Sequence, residues 1–439
     1  MRALRRRSLA VQPFKVGPDF IDPTLHTAAT SRPSRNLDSW LLPRSTVLEL
    51  FARAAETADV AVIEGVMGLY DGHNGRGDEG STAEVAKILG APVILVIDVS
   101  GTVRSAGAMV MGFVGFDPQV RLAGVIACRV GGERHLQALR EALAPSGVPL
   151  LGALPWDDQL HLPDRHLGLI PAGEHDYTAS LEALADAVER HVDLEGLLRV
   201  ARQVPPVVVP GPMCFPPIPA PSQVTIGIAR DDAFCFYYQD ALELLEWRGA
   251  QLVPFSPIRD RALPSVDGLY FGGGFPEVHA QVLSENAAMR AQLQAAAAAG
   301  MPIYAECGGM MYLTERLVDT DGRSHKMVGL LPATVTMGRR LVLNYVALEA
   351  LEDTLLLRNG ETVRGHEFHY SDLTLTGPAR LALASVEGKG IEDGRDGFVT
   401  PTLLATYSHV HFASHPPMVD RFIEICRRYK DQRRVAIQS

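Results

Sequence analysis

The sequence lacks several features that would assign a function class at once. Its five cysteines are far apart among 439 residues, and their spacing matches neither a disulfide framework nor a zinc site. No apolar run approaches the ~18 residues that cross a bilayer. Pro13 and Lys15 interrupt the apolar stretch that follows the basic start, so a signal peptide is not predicted. We expect a cytoplasmic protein without a membrane partner.

Positive charge is also scarce. Lys and Arg total 41 against 51 for Asp and Glu, which gives a formal net charge of −10. A protein that binds nucleic acid through its backbone needs a basic face, so a nucleic-acid partner is not expected. The 47% of hydrophobic and 21% of charged residues are typical of a globular chain.

The first half of the chain alternates short apolar runs with helical patterns. Runs such as VAVIEGV (60–66) and PVILVIDV (92–99) are apolar almost throughout, as strands covered on both faces must be. Strands that alternate with helices predict an α/β fold with a doubly wound, mostly parallel sheet.

A proline-rich stretch divides the chain. Eight prolines fall between positions 205 and 221, where neither a helix nor a central strand can continue. We therefore predict a first domain at 1–204, a linker at 205–222 and a second α/β domain at 223–439.

The second domain contains a cysteine at a predicted strand-to-helix turn. A buried strand pattern ends at Cys307, Gly308 and Gly309 follow, and a helical pattern begins. A sharp turn of this kind projects a side chain, and the start of a helix favours a thiolate. A core cysteine at a strand end is the alternative, but the paired glycines and the new helix favour a nucleophile.

A cysteine nucleophile needs a base and a site for the oxyanion. His409 follows a strand pattern and is the preferred base, His411 is the second choice, and His415 is expected to lie beyond the strand. Gly273 and Gly274, in a glycine run just after a strand, can offer backbone N–H groups to an oxyanion or to glutamine. Together these residues predict Cys–His acyl transfer, in which an amide is hydrolysed through a thioester.

These segments resemble a known family. DGLYFGGGF, AECGGMMYL and YSHVHF look like the glutaminase domain of the cobyrinate a,c-diamide synthase family, a class I-like glutamine amidotransferase of the cobyric-acid type. The resemblance implies that Cys307 is the nucleophile, His409 its base and L-glutamine a substrate. Many class I glutaminases have a Glu two residues after the histidine, where this chain has His411. A third member of the triad is therefore not assigned.

Carboxylates mark the first domain. Asp19 and Asp22 lie in a Gly/Pro turn after a predicted strand, and Glu64 ends another strand. Ligands bind at the carboxyl ends of the strands in such sheets, and hard oxygen ligands suit Mg²⁺ that bridges nucleotide phosphates. Ordinary turn chemistry explains Asp22 equally well when that residue is taken alone.

The resemblance extends over this half. KVGPDFIDP, NLDSWL and VIEGVMGLYDG look like the synthetase domain of the same family, which is itself similar to dethiobiotin synthetase. The resemblance implies that Asp19 and Glu64 help to hold Mg²⁺ and the co-substrate ATP. It also places Lys15, Asp22 and Asp71 near the carboxylate that is activated.

Two departures from the family fall on the nucleotide site. The family begins with a strand and a glycine loop that ends in Gly-Lys-Thr, whereas no G-x-x-x-x-G-K-[ST] motif occurs here. Cys128 stands where the family usually has an Asn that can contact adenine. We therefore expect an N-terminally incomplete chain that binds ATP weakly or not at all.

The implied function is ATP-dependent, glutamine-hydrolysing amidation of the a and c acetates of a corrinoid acid, cobyrinate, in cobalamin biosynthesis. Hydrogenobyrinate or nickel-sirohydrochlorin as the acceptor are alternatives within the same chemistry. A glutaminase or binding protein whose first domain is a nucleotide-free scaffold is the alternative from another class. The sequence also leaves a homodimer open.

Overall fold

The computed structural model describes residues 1–165, 168–211 and 214–438. The chain divides into two compact units, Met1–Gly211 and Pro212–Ser439, here called the N-terminal and the C-terminal unit. The division lies within the proline-rich stretch 205–222, of which positions 212 and 213 are outside the described residues. Within the described ranges, none of the helices combines the length and the apolar character that a membrane span requires.

The N-terminal unit alternates strands and helices. Its helices are α1 (Arg2–Arg6), α2 (Asp22–Thr30), α3 (Arg44–Ala55), α4 (Thr82–Leu89), α5 (Arg104–Phe116), α6 (Glu133–Leu143), α7 (Thr178–His191) and α8 (Leu194–Ala201). Its strands are β1 (Val11–Val16), β2 (Arg35–Leu37), β3 (Val60–Glu64), β4 (Val93–Asp98), β5 (Leu122–Val130), β6 (Leu150–Pro155), β7 (Asp164–Arg165) and β8 (Gly168–Leu169).

The parallel strands of this unit form two sheets, in the orders β2-β1-β3 and β4-β5-β6, and β7 pairs with β8 in a short antiparallel ribbon. All six residues of β1 are buried, as expected for a strand between two neighbours and under helices. The register between β1 and β3 places Lys15 opposite Glu64. Both residues are therefore at the carboxyl ends of their strands, where α/β sheets bind ligands.

The C-terminal unit contains a larger, mixed sheet. Its helices are α9 (Gln239–Trp247), α10 (Ala280–Glu285), α11 (Ala287–Ala298), α12 (Gly308–Leu313) and α13 (Pro417–Gln438). Its strands are β9 (Val224–Ala229), β10 (Ala250–Phe255), β11 (Gly268–Phe271), β12 (Ile303–Glu306), β13 (Thr314–Val318), β14 (Ser324–Lys326), β15 (Leu331–Ala350), β16 (Thr362–Leu375), β17 (Leu381–Glu387), β18 (Arg395–Thr400), β19 (Leu403–Thr406) and β20 (His409–Val410).

The sheet order brings the reactive segments of the C-terminal unit together. Strands β10-β9-β11-β12-β19 run parallel, and the order continues through β18-β17-β15-β13-β14, with β16 joining β15 to β20. Strand β12 leads directly into Cys307, and its neighbour β19 leads into β20 and His409. The four residues of β12 are all buried, so Cys307 follows a rigid central strand.

Candidate active sites in the two units

Cys307 lies at a strained turn between β12 and α12. Its backbone has φ 43° and ψ −104°, a conformation that L-residues rarely adopt, and its amide donates to the carbonyl oxygen of Thr406 at 2.7 Å. The two following glycines fit where side chains would not. A Cβ at Gly308 would lie 2.9 Å from the nitrogen of Gly274, and one at Gly309 would lie 2.6 Å from Phe271. The turn therefore has the geometry predicted for a nucleophile.

His409 is buried next to this turn. It pairs across the sheet with His366 of β16, and the two imidazole rings stack at 4.9 Å with an interplanar angle of 16°. A Cβ at Gly273 would lie 2.5 Å from Cε1 of His409, so the glycine run packs directly against the imidazole. Burial alone lowers the pKa of His409, but the neighbouring side chains of Cys307 and Glu306 raise it to about 10. This environment favours the protonated, imidazolium form of His409.

The glycine run is held between the turn at Cys307 and a neighbouring loop. The carbonyl oxygen of Gly273 accepts from the amides of Cys235 at 3.1 Å and Phe236 at 3.0 Å. Gly274 has φ +154°, and a Cβ there would lie 2.2 Å from the carbonyl oxygen of Ala233. The structure thus brings the two glycines, Cys307 and His409 into one buried site.

His411, the second choice for the base, has a different environment. Its Nδ1 accepts the amide of Ala413 at 3.2 Å, and its ring lies 4.5 Å from that of Tyr238. Burial lowers the pKa of His411 to about 3, so the ring is neutral at ordinary pH. His411 stabilises the short turn after β20 and has the features of a structural residue.

Glu306 is a candidate that the sequence interpretation missed. It precedes Cys307, is 2% exposed, and its Oε2 lies 3.8 Å from Nδ1 of His409. The available signal was the glutamate in AECGG, because a charged side chain in a buried strand requires partners.

In the N-terminal unit, Lys15 is the centre of a cluster of carboxylates. Its Nζ lies 2.7 Å from Asp22, 2.9 Å from Glu64 and 3.8 Å from Asp19, and only 4% of the residue is exposed. His26, which the sequence interpretation missed, contacts Glu64 at 2.6 Å through Nε2. The structure therefore brings together four of the five residues that the resemblance assigned to this site.

Burial and charge set the protonation of this cluster. Burial and the nearby charge of Asp22 raise the pKa of Asp19 to about 6. Burial alone would also raise the pKa of Glu64, but the hydrogen bond with His26 and the charge of Lys15 lower it to about 2. The charge of Glu64 and the hydrogen bond with Asp22 overcome the effect of burial and raise the pKa of Lys15.

The donor set suits a hard divalent cation. Three carboxylates face one ammonium group, which leaves two negative charges when all are ionised. These carboxylates are arranged around Lys15, and in the described part of the chain no three His, Cys, Asp or Glu side chains are arranged to hold a metal ion by themselves. That is compatible with Mg²⁺, which proteins hold through one or two carboxylates together with substrate phosphates.

Two further residues from the sequence interpretation make other contacts in this unit. Asp71 accepts the amide of Gly68 at 2.9 Å in the loop after β3. Cys128 is half-buried on β5, opposite Asp98 of β4. Burial, followed by the charge of Asp98, raises the pKa of the Cys128 thiol, so this cysteine is not activated.

Comparisons with known proteins agree with both halves of this description. Residues 225–417 match a CobB/CobQ-like glutamine amidotransferase domain, and residues 27–164 match an AAA domain. The cobyrinate a,c-diamide synthase of Methanosarcina acetivorans is 40% identical, over 99% of this chain and 92% of the relative. The synthase of Salmonella typhimurium is 44% identical (98% and 94%), and that of Priestia megaterium 41% (100% and 95%). The chain belongs to the cobyrinate a,c-diamide synthase family.

Proposed function

We propose that this chain is an ATP-dependent, glutamine-hydrolysing ligase that converts the a and c acetate carboxylates of cobyrinate into amides. The observation that carries the proposal is the convergence of Cys307, His409 and the glycine run at a strained turn. The relatives named cobyrinate a,c-diamide synthase match nearly the whole length of the chain that contains this arrangement.

The C-terminal unit would release ammonia from glutamine. The thiolate of Cys307 attacks the side-chain amide carbon, and backbone N–H groups of Gly273 and Gly274 stabilise the oxyanion. The imidazolium of His409 gives its proton to the departing nitrogen, so ammonia leaves and a thioester remains. His409 then takes a proton from water, which attacks the thioester and releases glutamate.

The N-terminal unit would activate the carboxylate. Transfer of the γ-phosphoryl group of ATP to a corrinoid carboxylate gives ADP and an acyl phosphate, and attack by ammonia then gives the amide and phosphate. Asp19 and Glu64 would hold Mg²⁺, which neutralises phosphate charge when it is bound. Lys15 presents a buried positive charge for the anionic groups, and Asp22 orients its ammonium. Asp71, in the loop after β3, would contact the substrate.

A pair of variants tests the two activities separately. Cys307→Ser should lower glutamate release from glutamine by at least ~10³-fold, while ammonia-dependent amidation of cobyrinate stays at the level of the parent chain. Glu64→Gln should lower ammonia-dependent amidation of cobyrinate and leave glutamate release at the level of the parent chain, because a neutral amide is a poor ligand for Mg²⁺. Cys214→Ser is the matched control, since a hydroxyl can retain the hydrogen bond of this buried thiol to the carbonyl oxygen of Ala413.

Either assignment can fail alone. Glutamate release at the parent rate in Cys307→Ser would remove the nucleophile assignment. The Glu64 test requires ATP turnover by the parent chain, which would also overturn the weak ATP binding expected from the lack of a G-x-x-x-x-G-K-[ST] motif. The same turnover in Glu64→Gln, at ordinary Mg²⁺ concentration, would make Glu64 a structural residue.

A further inference from the structure

Glu306 occupies an unusual position for a carboxylate. It ends the fully buried strand β12, and the next residue along the chain is Cys307. A buried carboxylate is costly unless hydrogen bonds satisfy it. Two tyrosines and one backbone amide donate hydrogen bonds to the Glu306 carboxylate. Its Oε1 accepts from Tyr304 at 2.5 Å and from the amide of Val410 at 3.1 Å, and its Oε2 accepts from Tyr270 at 3.1 Å.

These bonds orient the carboxylate towards His409. Its Oε2 lies 3.8 Å from Nδ1 of the imidazole, and the Val410 amide that binds Oε1 belongs to the residue after His409. Glu306 therefore constrains the base at two points, its ring and its backbone. Catalytic hydrogen bonds are often long in the free enzyme and shorten when substrate binds, so this separation is within reach of a direct contact.

The other titratable groups near His409 cannot supply this negative charge. In the described part of the chain these groups include Cys307, which is the nucleophile itself, and the histidines His366, His369 and His411. They also include the buried carboxylate of Asp396, whose oxygens accept from the amides of Tyr407 and Ser408 and from the hydroxyl of Ser408 instead. Burial lowers the pKa of each of these three histidines, so they are neutral at ordinary pH. Glu306 is the carboxylate that lies beside the imidazole itself, with Oε2 at 3.8 Å from Nδ1.

We propose that Glu306 is the positioning residue of His409, in place of the carboxylate that many class I glutaminases have two residues after the histidine. With Nδ1 directed at Glu306, Nε2 is available to Cys307, and the carboxylate stabilises the imidazolium that protonates the leaving nitrogen. The nucleophile and the group that orients its base are then adjacent residues at the end of one strand. This inference rests on the proposed glutaminase function.

The test is the pH dependence of glutamine hydrolysis in Glu306→Gln. The amide retains oxygen and nitrogen atoms for the two tyrosines and the Val410 amide but removes the negative charge. We expect kcat/KM to fall about 10²-fold. Because the carboxylate favours the protonated imidazole, its removal should lower the pKa of His409. The alkaline limb of the profile should therefore move to lower pH by about one unit.

Tyr304→Phe is the matched control, because it disturbs the same buried cluster and leaves the carboxylate charged. It should cost less than tenfold and should not move the alkaline limb to lower pH. Equal losses in both variants without a shift in Glu306→Gln, or a parent-like profile in that variant, would overturn the proposal. Failure of the glutaminase function itself would be seen separately, as parent-like glutamate release by Cys307→Ser in the same assay.

Discussion

The two units organise their reactive groups in opposite ways. In the N-terminal unit, Lys15 and Glu64, at the ends of parallel strands, and Asp22, at the start of α2, are held by ion pairs, and Glu64 is partly exposed to solvent. In the C-terminal unit, Cys307 and His409 are buried and are placed by backbone geometry and close packing. The first arrangement suits the binding of highly charged substrates, and the second suits a covalent reaction away from water.

The difference determines which changes each site should tolerate. An ion-paired cluster depends on the sign and number of its charges, so neutral substitutions of similar size should impair it. A close-packed site depends on volume, so the addition of one methyl group should impair it even when no charge changes. Three predictions test this contrast, in order of decreasing expected effect.

The largest effect is expected at the base. His409→Ala should reduce glutamine hydrolysis by ~10²–10⁴-fold, the usual contribution of a positioned general acid and base. His411→Asn should cost less than tenfold, because an amide oxygen can still accept the amide of Ala413. Initial rates of glutamate release measure both variants. Equal losses, or the reverse order, would transfer the role of base to His411.

Addition of a methyl group at Gly273 should have the next largest effect. The new Cβ of Gly273→Ala would lie 2.5 Å from Cε1 of His409 and must displace the ring. A displacement of about 1 Å in a catalytic group can cost ~10²-fold in rate. Gly377→Ala is the control in the same unit, since its Cβ would make an ordinary contact of 3.5 Å with Pro332. A Gly273→Ala enzyme with parent-like kcat would show that packing does not fix the base.

The sequence was sufficient to predict those parts of each site that depend on local patterns. The turn at Cys307 is visible in a strand pattern, two glycines and a helix pattern that follow one another. The strand pattern placed Glu64 at a strand end where ligands bind, whereas Lys15 was assigned to this site only by the resemblance, and its ion pair with Glu64 was not foreseen. Comparison with relatives confirmed the α/β fold class and the family.

The parts that were missed depend on contacts between distant segments. Glu306 meets His409 only because β12 and β19 are neighbours in the sheet, and no local pattern specifies that pairing. The stacking of His366 on His409 requires β16, which reaches β20 as part of a long antiparallel hairpin with β15. Hydrophobic periodicity identifies strands, but it does not specify which strands are neighbours.

The smallest expected effect is a difference in acid stability between the units. The pKa values of His369 and His411 are lowered to about 4 and about 3, and that of His366 is also lowered, while each titrates near 6.5 when unfolded. The unfolded state therefore binds more protons below pH 6.5. Each histidine should remove on the order of 1 kcal/mol of the C-terminal unit's stability per pH unit between pH 6.5 and 4.5.

The stability of the N-terminal unit should instead rise as the pH falls over this range. The pKa of Asp19 is raised to about 6, so its carboxylate is protonated at a higher pH in the folded state than in the unfolded state. The pKa of Glu64 is about 2 in the folded state, so the stability that Glu64 contributes is lost only below about pH 4.5.

Urea unfolding followed by tryptophan fluorescence separates the units, because Trp247→Phe leaves only N-terminal reporters. His411→Asn should reduce the pH dependence of the C-terminal transition by about one third, since it removes one of three buried neutral histidines. Parallel loss of stability in both units would show that the contrast between a charged and a buried neutral site does not extend to their folding.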